Sequence, residues 1–132
     1  MEEHHDLSLE LEVLPERLAI CRLDPEDGLV DWDPSGDFLS ITFTEAEISV
    51  VCDEAVAPAD AECERGWRCL RVDGPLDFEL VGVLASLTRA LAEAGVSVFA
   101  LSTYETDYLL VRGAVLDRAI TALEGAGHTV RS

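Results

Sequence analysis

Val81–Val111, VGVLASLTRALAEAGVSVFALSTYETDYLLV, decides how this chain folds. Leu80, Leu84, Leu87 and Leu91 follow one another at spacings of four, three and four, which sets them on one face of a helix, and that face must be buried. Ala94-Gly95 is its stop, because glycine takes the left-handed conformation that closes a helix at little steric cost. The period then falls to two: Val96, Val98, Ala100 and Ser102 alternate with Ser97, Phe99, Leu101 and Thr103, as in a strand whose two faces are both largely covered. After the polar turn Tyr104-Glu105-Thr106-Asp107, the apolar run Tyr108–Val111 returns antiparallel.

Toward the C-terminus, Val115, Leu116, Ala119, Ile120 and Leu123 form a second helical stripe, ended by Gly125 and Gly127, and His128–Arg131 returns as an edge strand. In the other direction, Trp67–Asp73 reads as a strand stopped by Asp73-Gly74-Pro75, and Asp77 can cap the helix by accepting from free backbone N–H groups. The order from residue 67 onward is strand, helix, strand, strand, helix, strand.

The first half is mostly β. Leu7–Leu14 alternates apolar with polar residues, Pro15-Glu16-Arg17 reads as a turn, and Leu18–Leu23 as the returning strand of a hairpin. Asp24–Asp37 reads as a loop anchored on the core by Trp32. Phe38–Thr44 and Ile48–Cys52 are neighbouring strands, and no long helix precedes residue 66. Glu54–Gly66 is small and acidic, as in a linker, and divides the chain into residues 1–65 and 66–132.

Over 132 residues, 27 acidic residues oppose 9 arginines, with no lysine, for a formal charge of −18. Such a surface repels phosphate backbones and anionic lipid heads, so neither nucleic acid nor membrane is an expected partner. It serves solubility, or it favours a cationic ligand. No run reaches the roughly 18 apolar residues of a membrane helix, and Met1–Asp6 is acidic rather than a signal sequence, so the expected location is cytoplasmic. Cys21, Cys52 and Cys69 fall in apolar runs and read as small core residues. Closure of Cys63 on Cys69 is disfavoured in a cytosolic chain. None forms a C-x-x-C pair, and His4-His5 sits in an acidic tail, so no metal is expected.

Nucleophile motifs, paired catalytic carboxylates and phosphate-binding glycine loops are absent from the sequence, so it is not expected to be an enzyme and no cofactor is expected. A binding site has more support. The helix start around Asp77–Gly82 concentrates unpaired N–H groups able to receive a carboxylate, and Gly82 either lets a ligand approach or lets helix and sheet pack closely.

Gly82-Val83-Leu84-Ala85, Leu87, Leu91 and Ala94-Gly95-Val96 resemble the helix and second strand of an ACT domain, the small βαββαβ ligand-binding module. The continuation SVFALSTYETDYLLV is similar to the tandem-ACT proteins that include the CASTOR arginine sensors and their short bacterial relatives. The resemblance implies an α/β protein, an α+β sandwich in which a ferredoxin-like βαββαβ ACT domain follows a degenerate, β-rich ACT-like half. It implies a non-catalytic regulatory protein that binds an amino acid at an interface between ACT units, with Ser97-Val98 facing the turn Thr103, Tyr104, Thr106 and Asp107. Asp107 would pair with the ligand's cationic group and Ser97 would offer a hydroxyl. Without the resemblance, Asp107 reads as a turn former rather than a ligand contact. One regular half and one irregular half point to a homodimer. The rival expectation is an ACT-fold dimerisation or protein-interaction module without a ligand.

Overall fold

The computed structural model describes residues 8–27, 35–59, 61–76 and 81–132. The expected cap Asp77, the first stripe residue Leu80, the anchor Trp32 and the tail histidines His4 and His5 lie outside the described residues. The elements run β1 (Glu10–Leu23), β2 (Leu39–Phe43), β3 (Ile48–Asp53), a 3-10 turn (Glu54–Val56), β4 (Glu62–Val72), α1 (Val83–Glu93), β5 (Phe99–Ser102), β6 (Asp107–Arg112), α2 (Leu116–Gly125) and β7 (Thr129–Arg131). From β4 onward this is the expected strand, helix, strand, strand, helix, strand.

The chain forms two compact units. One takes the described residues up to Pro15 together with Arg68–Ser132, and the other takes Glu16–Trp67. In the first, the strand order is β7-β1-β4-β6-β5. β1 therefore lies between the last strand of the βαββαβ unit and its first, with Glu10, Leu11 and Glu12 paired in parallel to Thr129, Val130 and Arg131. Leu9, Leu11 and Val13 enter one core with Leu70, Val72, Leu109 and Val111 of the neighbouring strands and with Val83, Leu87, Leu91, Ala119 and Leu123 of the helices. Leu87 and Leu91 of the leucine stripe lie on the buried face of α1, and Leu84 packs against the same core.

Both helices end in the same way. Gly95 (φ 75°) and Gly127 (φ 100°) take the left-handed position. The Val96 and His128 N–H groups reach back to the Leu91 and Leu123 carbonyls at 2.9 and 3.1 Å. This closure satisfies carbonyls that the helix leaves orphaned and places the following residue against the core. At the first end that residue is apolar Val96; at the second it is His128, only 4% exposed. Its Nδ1 accepts from the Leu9 N–H at 3.1 Å, and its Nε2 lies 3.3 Å from Ser86 Oγ. Nδ1 is thus bare, Nε2 carries the proton, and burial pushes the imidazole pKa down.

Because the unfolded chain then binds a proton that the folded chain resists, stability falls as pH drops through about 6.5 and levels off below the folded value. Urea unfolding at pH values from 8 to 5 checks this against His128→Gln, whose carbonyl can still accept from Leu9. The change in surface charge on acidification is common to both proteins, so the wild type should lose stability relative to the variant. Parallel pH profiles would sink the assignment.

The second unit has the order β2-β3-β1-β4. Leu18–Leu23 pairs antiparallel with Ile48–Asp53, which pairs with β2 in turn, around a core of Ala19, Cys21, Ile48, Val50 and Cys52.

Four expectations are corrected. The expected hairpin of Leu7–Leu14 and Leu18–Leu23 is one continuous strand, because exposed Pro15 fits extended backbone and forfeits a single ladder bond. Glu54–Gly66 is not a linker: it holds the 3-10 turn and the first five residues of β4, whose acidic side chains are those of an exposed face. Cys21 keeps its place in the core but is disulfide-bonded to Cys63, and Cys69 is buried and forms no disulfide. β5 begins only at Phe99 and is not covered on both faces: it ends the strand order, and Ala100 and Ser102 are exposed.

Candidate functional site

α1 begins at Gly82, whose φ of 87° and ψ of 7° belong to the left-handed region that side chains disfavour. Gly82 supplies no side-chain cap, and the first turn carries no acidic residue. The first intrahelical bond is Ser86 N–H to the Gly82 carbonyl at 2.9 Å. The N–H groups of Val83, Leu84 and Ala85 have no partner among the described residues, as the opening turn of any helix requires. They present a partial positive charge.

Opposite this helix start stands the β5–β6 turn. Ser102 pairs with Asp107 across the hairpin, and its Oγ donates to Asp107 Oδ1 at 2.6 Å. Thr103 N–H and Oγ1 both donate to the Thr106 carbonyl, at 2.9 and 3.1 Å, closing the turn. Buried Thr106 donates through Oγ1 to the Val72 carbonyl at 2.7 Å, and the Glu105 carbonyl accepts from Leu76 N–H at 2.7 Å. The turn is therefore pinned to the end of β4 and to the segment leading into α1. Gly74 fits beneath it: a Cβ there would lie 3.0 Å from the Glu105 carbonyl and 3.1 Å from Thr106 Cβ.

Between helix start and turn lies a cavity of about 400 Å³, lined on one side by Leu76, Gly82, Val83, Leu84 and Ala85 and on the other by Ser102 through Asp107. Of the residues expected from the sequence, Gly82, Thr103, Tyr104, Thr106 and Asp107 come together here. Ser97 and Val98 do not line this cavity: Ser97 is exposed, and Val98 packs against the core. Leu76, Ser102 and Glu105 line it without having been singled out. Ser102 was missed because the turn is Thr103–Thr106 rather than Tyr104–Asp107, which puts Asp107 in β6 opposite Ser102. Leu76 was missed because its place depends on how the chain leaves β4.

The cavity has two chemically distinct ends. The α1 N–H groups attract an anion, and Asp107 and Glu105 bring carboxylates to the turn that attract a cation. On the other side of the turn, a smaller cavity of about 270 Å³ is lined by Arg71, Asp73, Tyr108 and Arg131 among others. Its cations are already engaged: Arg131 binds both carboxylate oxygens of Asp73 at 2.7 and 3.0 Å, and Arg71 binds Glu12 at 2.6 Å. The Arg131 guanidinium holds the Asp73 carboxyl below its usual range. Among the described residues, no group of three histidine, cysteine or acidic side chains is placed to hold a metal ion, and no helix is long and apolar enough to cross a membrane.

The sequence model of the ACT domain matches residues 62–125, and a second model, of an N-terminal domain, matches residues 16–60. The human cytosolic arginine sensor for mTORC1 subunit 1 is 32% identical over 82 residues, a match that takes in 56% of this chain and 25% of the sensor. The chain thus spans about a quarter of the length of the curated relatives it matches. A crystal structure of an Agrobacterium tumefaciens protein is 32% identical with a TM-score of 0.87, covering 96% of this chain and 95% of that one. The ligand-free regulatory subunit of aspartate kinase from Thermus thermophilus, at 9% identity and a TM-score of 0.64, shares the fold over 92% of this chain and 99% of its own.

Proposed function

The chain belongs to the ACT domain family, and on that premise we propose that it is a non-catalytic regulatory protein that binds a free amino acid in the cavity between the start of α1 and the β5–β6 turn. The observation that carries this reading is the pairing of ends. An amino acid is anionic at its carboxylate and cationic at its ammonium, and the cavity sets the N–H groups of Val83, Leu84 and Ala85, which have no partner among the described residues, across from Asp107 and Glu105. Gly82 keeps the helix start clear of a side chain. Asp107, held by Ser102, receives the cation; Thr103 and Thr106 shape the turn; Tyr104, 81% exposed, rims the opening.

A basic side chain suits the acidic lining and the arginine named in the relatives. The chain acts as a homodimer. The setting is cytosolic, as in the relatives' name. The second reading is an ACT-fold interaction module without a ligand, favoured by the uncovered apolar residues Leu39 and Phe43 on β2.

A thermal-shift screen of the twenty amino acids separates the two. A ligand at 100 times its dissociation constant adds roughly 2.7 kcal/mol, which moves the melting point by several degrees. One or a few amino acids should give such a shift, and Asp107→Ala should abolish it while leaving the unliganded melting point within about 2 °C, since Asp107 is not part of the core. Indifference to all twenty would transfer the assignment to the interaction module.

A further inference from the structure

We propose that two copies of this chain join through the outer edge of β2, in an antiparallel pair centred on Ile41. The inference rests on the homodimer of the proposed function and locates its contact. β2 ends the strand order, and among the described residues β3 is its only strand partner. Leu39, Ile41 and Phe43 share one face and lie in register with Cys52, Val50 and Ile48, all part of the second unit's core. Ile41 packs on that core, but Leu39 is 43% and Phe43 64% exposed. Among the described residues, the apolar face therefore runs off the edge of the sheet without cover.

Edge strands are ordinarily protected by charge, proline or a bulge. More than a quarter of this chain is charged, yet Leu39-Ser40-Ile41-Thr42-Phe43 has no charge and no proline. The strand is also complementary to itself. Turned about Ile41, Leu39 meets Phe43 of a second copy, Ser40 meets Thr42, and Ile41 meets Ile41. Aromatic on aliphatic and hydroxyl on hydroxyl are favourable cross-strand pairs. Just outside them, Asp37 faces Glu45 of the second copy, acid against acid, and each copy carries a formal charge of −18. Screening must then strengthen this contact, the reverse of an interface made by ion pairs.

Sedimentation of the full chain across a range of concentrations, at about 50 mM and about 500 mM salt, tests this. The expected result is a reversible monomer–dimer equilibrium that is tighter at the higher salt. Phe43→Glu should weaken it tenfold or more, with the circular dichroism spectrum and any amino-acid thermal shift unchanged. Phe43 is exposed, so the variant should fold. Tyr104→Glu, at the cavity rim in the other unit, should leave the dimer intact. A chain that stays monomeric, a dimer that survives Phe43→Glu, or one that dissociates with Tyr104→Glu instead would each overturn the β2 contact. The two proposals fail separately: an intact dimer with no amino-acid shift sinks sensing alone, and a shift in a monomeric chain sinks the contact alone.

Discussion

Leu87→Ala should cost about 2–5 kcal/mol of folding stability, measured by urea unfolding. Leu87 sits in the middle of the buried face of α1, completely inaccessible, in the cluster shared by β1, β4, β6 and both helices. Its removal loses the transfer free energy of the side chain, and a void remains because neighbours from three strands cannot all follow it inward. Domains of this size are stable by only about 5–15 kcal/mol, so a large share of the whole is at stake. The melting point should drop by roughly 10 °C or more. Leu87→Met conserves volume and should cost less than about 1.5 kcal/mol. Equal small losses from both would mean that α1 does not pack as described.

Thr106→Val should destabilise the protein by about 1–3 kcal/mol and abolish amino-acid binding together. The two side chains have nearly the same shape, so packing is little changed, but the bond from Thr106 Oγ1 to the Val72 carbonyl is lost. That bond pins the β5–β6 turn to the end of β4, and so fixes the distance from Asp107 to the start of α1. Thr106→Ser keeps the hydroxyl and should keep binding, losing only what a methyl group contributes to the core. Urea unfolding reads the first effect and titration with the amino acid identified by thermal shift reads the second. Binding retained in the valine variant would show that the turn needs no such anchor.

Periodicity made the second half of the chain legible. The spacing of Leu84, Leu87 and Leu91 identified α1, Ala119 and Leu123 identified α2, and Gly95 and Gly127 marked their ends. Five of the seven expected site residues share a cavity because four belong to one short hairpin turn, and only Gly82 had to be placed by the fold. Ser97 and Val98, assigned through the tandem resemblance, lie elsewhere.

Proline misled the reading of β1, and the period of two gave no correction: Leu9, Leu11 and Val13 are buried at odd-numbered positions, but Pro15 and Arg17 are exposed and Leu18 and Ala19 are both buried. Acidic composition likewise disguised the start of β4, since an exposed strand face and a linker both select glutamate. Local pattern identifies a strand but not its neighbours. The placing of β1 beside β7, and of Cys21 beside Cys63, depends on segments distant in sequence.

The position of β1 also bears on how the protein emerges from the ribosome. Residues 16–67 hold everything their own unit contains, so that unit is free to close as soon as they are synthesised. Leu9, Leu11 and Val13 must wait: the β7 ladder, and the His128 imidazole that accepts the Leu9 amide, arrive 119 residues later. Throughout elongation the first strand remains an apolar segment with an unpaired edge, the kind of surface that attracts chaperones or other nascent chains. The segment Leu9–Val13 is thus secured only once His128 and β7 have been made.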